Sequence, residues 1–503
     1  MLRIRPPQRQ LLGDFLFEQM VPEDHLLRRI AAVVDFSFAD ELLADCYSQR
    51  YGRPAKEPEL MVKLLLLEFL YDLSDVRLAG ELRVNVAMRW FVGLDALDPG
   101  VDDTTLVVFR RRIGPEKCRE VFERVLAQCV AHGLVPGRRA AADCTHVLVD
   151  ATVPGKHEFL WVVYQHLERS LRRAAPRAML PSSPSRPGRC SLGELPRAMD
   201  EQRKRLAGLV SIAEDLLAAT GDAELARDLG LAHHCLEQHS GGQPRDVMGA
   251  PTDPDARVGH TSAHQSFCGY RVNTLLDLDT SIVTAVEVQR GNGREAAALM
   301  GLVDAHTAIV ARPPVALVAD KAYDEGELRR QLHRRGVRTA IPLRRQRSPT
   351  RLFLNAKFSY DPVKQEMTCP AGKVTRTHRR GPRRDFSRLV FIFDAADCRA
   401  CPLRPRCTTS RKSGRRAMVS VYRDEHERAR ALAKTKGYSA LLRARSRIEP
   451  KLAEAKRFHG MRRARYRGLI KMRVQVYLTA TVLNIKRMTR LLWKPKLVAQ
   501  PVF

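Results

Sequence analysis

Three carboxylates in this chain stand where metal-dependent phosphate chemistry would use them. Asp143 opens a β-rich run, Asp320 ends a short apolar run, and Glu449 lies in a segment otherwise crowded with Arg and Lys. Functional side chains often gather at strand ends in open α/β sheets. An enzyme that cuts phosphodiesters with two metals needs several carboxylates on Mg²⁺ or Mn²⁺ ions. One interpretation of the three residues is therefore a two-metal phosphoryl-transfer site.

A simpler interpretation competes at each of these positions. An aspartate at a strand end is more often a cap or turn residue, so spacing alone does not identify a catalytic group. Asp150 also competes with Asp143, because the two are seven residues apart and a continuous strand would point them to opposite faces. Only one of the two can then serve a given site.

Four of the eleven cysteines are spaced as Cys-x28-Cys-x2-Cys-x5-Cys. They are Cys369, Cys398, Cys401 and Cys407. The Cys-x2-Cys half is a common zinc element, and four thiolates suit a closed tetrahedral structural site. The alternative is a loop with unmetallated thiols. We expect zinc, because the basic, Pro- and Gly-containing surroundings offer little apolar material for a core.

The net charge of +30 is concentrated in one part of the chain. Residues 341–500 contain 42 Lys and Arg against 10 Asp and Glu, and the remainder is nearly neutral. Such a one-sided excess is the expected footprint of phosphate binding, so nucleic acid is the first candidate partner. Arg462, Arg463, Arg465 and Arg467 are candidate phosphate contacts, which supply affinity without sequence information. For any one of them, a solvated surface charge is the alternative.

The sequence argues against secretion and membrane insertion. Its first ten residues lack the apolar core of a secretory signal. Its best apolar stretch, Leu60 to Leu73, is interrupted by Lys63, Glu68 and Asp72, short of the roughly 18 apolar residues of a membrane span. Eleven cysteines without a signal indicate a reducing compartment. We therefore expect a cytoplasmic protein with no membrane partner.

The elements that must position these residues begin with a helical region, residues 1–135. Apolar residues recur at helical spacing from Leu60 to Leu70, and Ser74 is a candidate N-cap for a helix over Asp75 to Val92. The segment Asp102-Asp103-Thr104-Thr105 offers candidate caps for a third helix that runs to Arg112. Short, closely linked helices are typical of a helix-turn-helix DNA reader or of a plain helical bundle, and both interpretations stay open.

Strands and helices alternate in the middle of the chain. The predicted β segments are a strand running out of Asp143, the hairpin 270–278 and 281–288, and the strands 315–319 and 339–343. The predicted helices are 206–234, 295–306, 325–335 and a helical stretch over 426–493. Gly336 is the expected end of the third of these helices. This alternation predicts an α/β fold with a mixed sheet.

Several short motifs occur in order along the chain. They are Asp143-Cys144-Thr145, Phe267-Cys268-Gly269-Tyr270-Arg271, Ala319-Asp320-Lys321-Ala322-Tyr323-Asp324, Arg445-x3-Glu449-x6-Lys456, Gly460 through Gly468, and Asn484-Ile485-Lys486-Arg487. Together they resemble the DDE transposases of bacterial insertion sequences, in the branch with a four-cysteine insertion (insertion-sequence family eleven-eighty-two). The resemblance covers about residue 50 to residue 493.

The resemblance implies an RNase H-like catalytic domain in which Asp143, Asp320 and Glu449 form the catalytic triad on two Mg²⁺ or Mn²⁺ ions. It also implies that Arg445 and Lys456 contact transposon-end DNA. The reaction would be cleavage of double-stranded DNA and strand transfer into a target, carried out by a homo-oligomer in the bacterial cytoplasm, in association with the nucleoid. The spacing of residues 445, 449 and 456 suits one face of a helix.

Four positions depart from the family pattern. Leu442 stands where the signature usually has a tyrosine, and Pro450 directly follows Glu449, which disfavours helix at that residue and can start a new helix. Cys144 and Ala322 replace glycines, and this changes the local backbone freedom. None of the four removes a carboxylate.

These patterns predict three regions. Residues 1–135 are a helical DNA-end-binding domain. Residues 136–345 and 421–495 are the RNase H-like domain, with a helical insertion at about 155–255, and residues 346–420 are a cysteine-rich, zinc-binding insertion. Two other functions stay open: a metal-dependent nuclease on the same fold without strand transfer, and a catalytically inactive DNA-binding relic or regulator.

Overall fold

The structure is a computed structural model that consists of two compact units, Met1–Pro313 with Ser446–Phe503 and Pro314–Arg445. It describes residues 11–48, 55–95, 98–181, 183–188, 193–240, 246–262, 264–344, 352–381, 387–410 and 412–493. Among the helices of these described segments, none combines the length and apolar character that a membrane crossing requires.

The first unit begins with helices. They are α1 (Leu11–Met20), α2 (Leu26–Ala31), α3 (Phe38–Leu43), α4 (Pro58–Leu70), α5 (Asp75–Val84), α6 (Val86–Val92) and α7 (Asp103–Ala131), with a 3-10 turn at Ala44–Cys46. The predicted cap is present, because the Ser74 side chain accepts a hydrogen bond from the Arg77 amide. The predicted continuous helix to Val92 is wrong, since Asn85 has an extended backbone and caps α6.

Helix α7 consists of two helical segments. The Asp102 side chain caps the first by accepting from the Thr105 amide at 2.7 Å, as its sequence indicated. Gly114, with a φ of 62° and a ψ of −174°, interrupts the helix just before Pro115, so the predicted end at Arg112 lies two residues from the break. The second segment continues to Ala131.

The next strand and three helices form the start of the sheet and a helical insertion. They are β1 (Arg139–Leu148), α8 (Lys156–Ala174), α9 (Leu195–Thr220) and α10 (Ala223–Gln238). The three helices share an apolar core of their own, which includes Leu160, Leu209 and Leu229. The Leu-rich stretch predicted as helix over 206–234 is thus two helices, separated at Gly221, whose φ of 64° ends α9.

An antiparallel sheet carries β1. It contains β2 (Arg257–His260), β3 (Ser266–Asp277) and β4 (Val283–Arg290), and β3 pairs with each of the other three strands. The predicted hairpin is confirmed as β3 and β4. The prediction that Asp143 opens its strand is wrong, because three buried alanines, residues 140–142, precede it in register with β3. Alanine is depleted in strands, so these residues gave no β signal.

Three further helices complete the first unit. They are α11 (Glu295–Val310), α17 (Ile448–Phe458) and α18 (Leu469–Leu492). Helix α18 packs against α4, α7 and β4. Its Asn484 side chain bonds the amide and the carbonyl of Val283, each at 2.8 Å, and so satisfies both backbone groups at the start of β4. The Asn-x-Lys-Arg motif therefore contains a structural clamp.

His306 on α11 is fully buried, and neither ring nitrogen has a hydrogen-bond partner among the described residues. Burial, followed by Arg312, lowers its pKa to about 4. Because the folded pKa lies below the unfolded one, the contribution of neutral His306 to the free energy of unfolding is complete above about pH 6.5. It falls by up to about 3 kcal/mol as the pH drops towards 4.

We expect His306→Leu to weaken this pH dependence of the free energy of unfolding, measured by urea unfolding. If the free energy of unfolding changed as much between near-neutral and mildly acidic pH in the variant as in the unaltered chain, this role of His306 would be contradicted.

The second unit contains one parallel strand pair and two small sheets. Its elements are β5 (Ala316–Val318), α12 (Gly326–Arg334), β6 (Arg338–Ala340), β7 (Ser359–Asp361), β8 (Glu366–Thr368), β9 (Val374–Thr375), β10 (His378–Arg380), β11 (Arg388–Ile392), α13 (Ala395–Arg399), α14 (Arg404–Cys407), β12 (Arg416–Ser420), α15 (Arg423–Ala433) and α16 (Lys436–Ala444), with 3-10 turns at Lys321–Tyr323 and Asn355–Lys357. Strands β5 and β6 are parallel, and β7–β9 and β10–β12 form antiparallel sheets. The α/β class is thereby confirmed.

The segment between α16 and α17 is not one helix. A 3-10 turn occupies Arg445–Arg447, and α17 begins at Ile448. Glu449 and Pro450 therefore lie in the first helical turn, where proline loses no hydrogen bond. The prediction that residues 445, 449 and 456 share one helical face is wrong for Arg445.

Candidate active site

Asp143 lies inside β1, opposite Thr274 of β3. Its Oδ1 accepts a hydrogen bond from the Cys144 amide at 2.9 Å, and the side chain is half-buried. Alternation along the strand places it on the face opposite to Cys144 and His146. The carboxylate is thus carried by a strand that pairs with β3 along its length.

Helix α17 packs against β1 and carries Glu449 at its exposed N-terminal end. Lys456, near the other end of the helix, is half-buried and interacts electrostatically with Cys144 and Arg462. Burial, followed by Arg462, lowers the pKa of its ammonium group. Burial and then Lys456 also lower the pKa of His146. One helix therefore carries a candidate catalytic carboxylate at its exposed N-terminal end and a candidate DNA-binding cation that lies near Cys144 and His146 of β1.

The Arg-rich segment after α17 is joined to the end of β1. Leu148 donates from its amide to the carbonyl of Arg462 at 3.1 Å, and Ala464 donates to the carbonyl of Leu148 at 2.7 Å. This parallel bridge holds the exposed Arg462 and Arg463 beside the strand that carries Asp143. The predicted Asp143 and two predicted DNA-binding arginines therefore lie on connected elements.

Asp150, the competitor of Asp143, is engaged by two of these arginines. Arg463 approaches its carboxylate at 3.5 Å, and Arg467 donates to its backbone carbonyl at 3.4 Å. All three side chains are exposed, so these contacts contribute little to stability. Asp150 lies beyond the end of β1 and does not share the paired strand position of Asp143.

Arg465 differs from its neighbours, because its guanidinium points into the protein. It donates to Glu68 at 3.0 Å and to the carbonyl of Leu73 at 2.7 Å, and it pairs with Asp72. Its side chain is 16% exposed and that of Glu68 only 3%. Arg110 is a second cation on Glu68, at 2.8 Å. Arg465 therefore holds the segment to α4 and the following turn.

We expect Arg465→Ala to lower the free energy of unfolding by roughly 3 kcal/mol, since it leaves the buried Glu68 carboxylate short of a partner. Arg462→Ala is the matched control in the same segment, and its exposed side chain should cost less than about 0.5 kcal/mol. Urea unfolding of both variants measures the difference. Equal stability of the two variants would contradict the internal role of Arg465.

In the second unit, Asp320 lies two residues after the end of β5 and is partly exposed. Its Oδ1 accepts from the Ala322 amide at 2.6 Å, so it caps the 3-10 turn that follows. Asp324, the last residue of the same motif, accepts from the buried Arg329 at 2.8 Å and from the Arg344 amide at 2.6 Å. Asp324 thus fixes the loop that presents Asp320 at the carboxyl end of β5.

The Phe-Cys-Gly-Tyr-Arg motif on β3 acts through packing. A Cβ on Gly269 would lie 2.0 Å from the carbonyl oxygen of Val147, so β1 and β3 need glycine there. The buried Tyr270 hydroxyl donates to Asp253 at 2.6 Å, and Asp253 also accepts from the Gly468 amide at 3.1 Å. Asp253 was missed in the sequence, because its Pro- and Asp-containing stretch has the composition of any turn.

The four cysteines of the second unit all line one pocket, together with Arg415. The Arg415 amide donates to the Cys398 sulfur at 3.3 Å, and its guanidinium donates to the Cys407 carbonyl at 2.9 Å. The adjacent buried core consists of Phe358, Met367, Phe391, Phe393 and Ala417. A core this small needs further stabilisation, and the donors around the pocket are those that zinc prefers.

Metal coordination itself is not formed. Within the parts of the chain that the structure describes, no group of three or more His, Cys, Asp or Glu side chains is arranged to hold a metal ion. This holds for the cysteine pocket of the second unit as well. The residue types fit, since thiolates suit zinc and carboxylates suit magnesium.

Comparisons with known proteins give two family matches. A family described as Transposase domain (DUF772) matches residues 15–112, and one described as Transposase DDE domain matches residues 368–489. The second match includes Glu449 and the four cysteines. Together the matches support a DDE transposase of insertion sequences. No curated protein and no solved structure matches the chain.

Proposed function

We propose that this chain is the transposase that cuts an insertion sequence from DNA and joins its ends to a target. The observation that carries the proposal is the match to the Transposase DDE domain. It spans α17, which carries Glu449 and packs against the strand of Asp143. The match over residues 15–112 supports the same function.

The proposed architecture has three regions. Residues 1–135 bind the element ends, and residues 136–345 with 421–495 form an RNase H-like catalytic domain with a helical insertion at about 155–255. Residues 346–420 form the insertion that holds a structural zinc through its four cysteines, as in the four-cysteine branch. The shared cysteine pocket and the small core beside it support the zinc proposal.

Asp143, Asp320 and Glu449 would hold two Mg²⁺ or Mn²⁺ ions. Such ions activate the attacking oxygen and stabilise the leaving oxygen of a phosphodiester. In the first step, a water oxygen bonds to phosphorus at the element end as the bond to the 3′-oxygen breaks, which leaves a 3′-hydroxyl. In the second step, that hydroxyl oxygen bonds to a target phosphorus as the bond to the 3′-oxygen of the target strand breaks, which leaves a 3′-hydroxyl on the target. The carboxylates act by keeping their negative charge at these positions.

The proposed DNA contacts are Arg445, Lys456, Arg462, Arg463 and Arg467. The exposed Arg462, Arg463 and Arg467 suit direct phosphate contact. Arg465 is assigned a positioning role instead, because its guanidinium already bonds Glu68 and Leu73. The concentration of the +30 net charge in residues 341–500 supports double-stranded DNA as the partner.

We further propose that the protein acts as a homo-oligomer on DNA, because two element ends must be joined in concert. Its proposed place is the bacterial cytoplasm, in association with the nucleoid. Two alternatives remain: a metal-dependent nuclease without strand transfer, and an inactive DNA-binding regulator. The carboxylates at all three family positions favour an active enzyme.

The test is an assay of cleavage and joining on DNA that carries the inverted repeats flanking the gene, with Mg²⁺ or Mn²⁺. The proposal predicts that the protein cuts at the repeats and joins the freed 3′-ends to a second DNA. Cleavage without any joined product would favour the nuclease. Specific binding without cleavage, in the presence of either metal, would favour the regulator.

A further inference from the structure

Helices α4 and α5 of the first unit are joined by a short turn, as the two helices of a helix-turn-helix are. Helix α4 is buried along most of its length, and four residues, 71–74, separate it from α5. Asp72 in this turn has a φ of 54°, the left-handed conformation for which such turns often use glycine. In helix-turn-helix proteins, the second helix enters the major groove of DNA.

One face of α5 is buried and the other is open. Leu78 and Leu82 are fully buried and fix the inner face. The outer face consists of exposed residues at helical spacing: Val76, Arg77, Gly80, Arg83 and Val84. Val76 is 67% and Val84 76% exposed, high values for apolar side chains. Neither arginine on this face forms an ion pair with any described residue, so its charge is available to an anionic partner.

Gly80 lies in the middle of this exposed face. Glycine is among the poorest residues for a helix interior. Among the residues that the structure describes, a Cβ at this position would meet no atom within 4 Å, and the backbone there is helical, so no contact with them requires glycine. Its absent side chain is useful only if an outside surface comes close to the helix backbone.

We propose that α5 is the recognition helix, which lies in the major groove at the element ends. In this arrangement Arg77 and Arg83 bond base edges, Val76 and Val84 contact thymine methyl groups, and Gly80 allows the close approach. Arginine to guanine and apolar groups to thymine methyls are the pairings that the major groove favours. This inference rests on the proposed function and adds the residues that would select the sequence.

The helix is held firmly in place, as a reader of sequence must be. Its first residue, Asp75, pairs with Arg110 of α7, and Ser74 caps its N-terminus. The preceding turn is bound through the Leu73 carbonyl to Arg465, which lies beside the β1 bridge. The reading helix and the strand of Asp143 thus belong to one connected set of contacts.

Helix α7 offers a rival face in the same region. Thr104, Val107, Val108 and Arg111 are exposed or half-exposed at helical spacing along its first half. Unlike α5, this face contains no glycine, and α7 does not follow a tight turn after a buried helix. Arg111 therefore provides the matched control for the arginines of α5.

The test selects bound duplexes from a pool of random sequence with the full-length protein and with Arg83→Ala, Gly80→Ala and Arg111→Ala. The unaltered chain should enrich one motif. Arg83→Ala should relax preference at defined bases by roughly 5- to 150-fold. Gly80→Ala should keep or raise the midpoint of thermal unfolding yet weaken binding to the selected motif about tenfold or more. Arg111→Ala should enrich the same motif as the unaltered chain.

The inference is overturned if Gly80→Ala and Arg83→Ala select the same motif as the unaltered chain with the same affinity. It is also overturned if Arg111→Ala alone changes the motif, or if the α5 variants change only self-association in sedimentation. These outcomes differ from a failure of the proposed function. If the proposed function fails, the unaltered chain selects a motif but never cuts it.

Discussion

Asp143→Asn is expected to lower DNA cleavage by roughly 10³-fold or more, because loss of one carboxylate charge removes several kcal/mol of metal-mediated stabilisation. The amide is nearly isosteric, and Asp143 lies in a strand paired along its whole length with β3. The fold should therefore persist. DNA affinity should stay within about threefold, since phosphate contacts of basic residues supply most of it. Single-turnover cleavage and filter binding measure the two quantities.

Asp150→Asn is the matched control. Its carboxylate lies seven residues further along the chain and approaches Arg463 at 3.5 Å. Because this pair is exposed, the substitution should leave the free energy of unfolding nearly unchanged and should change the cleavage rate by no more than a few fold. If Asp150→Asn abolished cleavage and Asp143→Asn did not, the assignment of the first catalytic carboxylate would be reversed.

Replacement of a single cysteine of the pocket should have the second large effect. If Cys369, Cys398, Cys401 and Cys407 hold zinc, the purified chain contains one bound zinc ion, and Cys401→Ser loses it. Structural zinc sites contribute on the order of 10 kcal/mol to folding of small domains, so residues 346–420 should become sensitive to protease. Metal analysis and limited proteolysis of the full-length protein measure both effects.

Cys46→Ser serves as the control for this experiment, since Cys46 lies in the first unit and outside the cysteine pocket. It should keep the zinc and the protease pattern of the unaltered chain. A purified chain with no zinc, or a Cys401→Ser variant with as much zinc as the unaltered chain, would refute the structural zinc site.

Local signals in the sequence predicted local structure well. Ser74 caps α5 because a hydroxyl before a helix satisfies a free amide, and Gly336 ends α12 with a φ of 74°. The β3–β4 hairpin followed from its apolar runs. The carboxyl-end position of Asp320 after a short buried strand was likewise readable, because it depends only on neighbouring residues.

Partners that are distant along the chain could not be predicted. Arg465 bonds Glu68 across a separation of 397 residues, and nothing in its Arg-rich neighbourhood distinguishes it from Arg462. The position of Asp143 inside its strand was missed because pairing with β3 overrides the weak β preference of alanine. The break at Arg445–Arg447 depended on whether Pro450 would kink a helix or begin one, and the sequence allowed both.

The central claim is that Asp143, Asp320 and Glu449 hold the same metal ions. The most direct test loads the protein–DNA complex with Fe²⁺ in place of Mg²⁺ and generates hydroxyl radicals. These radicals cut the polypeptide backbone close to the bound iron. The account predicts cuts near all three residues, suppressed by excess Mg²⁺ and lost in Asp143→Asn. Cuts that avoid the neighbourhood of Asp320 or Glu449, or that persist in excess Mg²⁺, would contradict it.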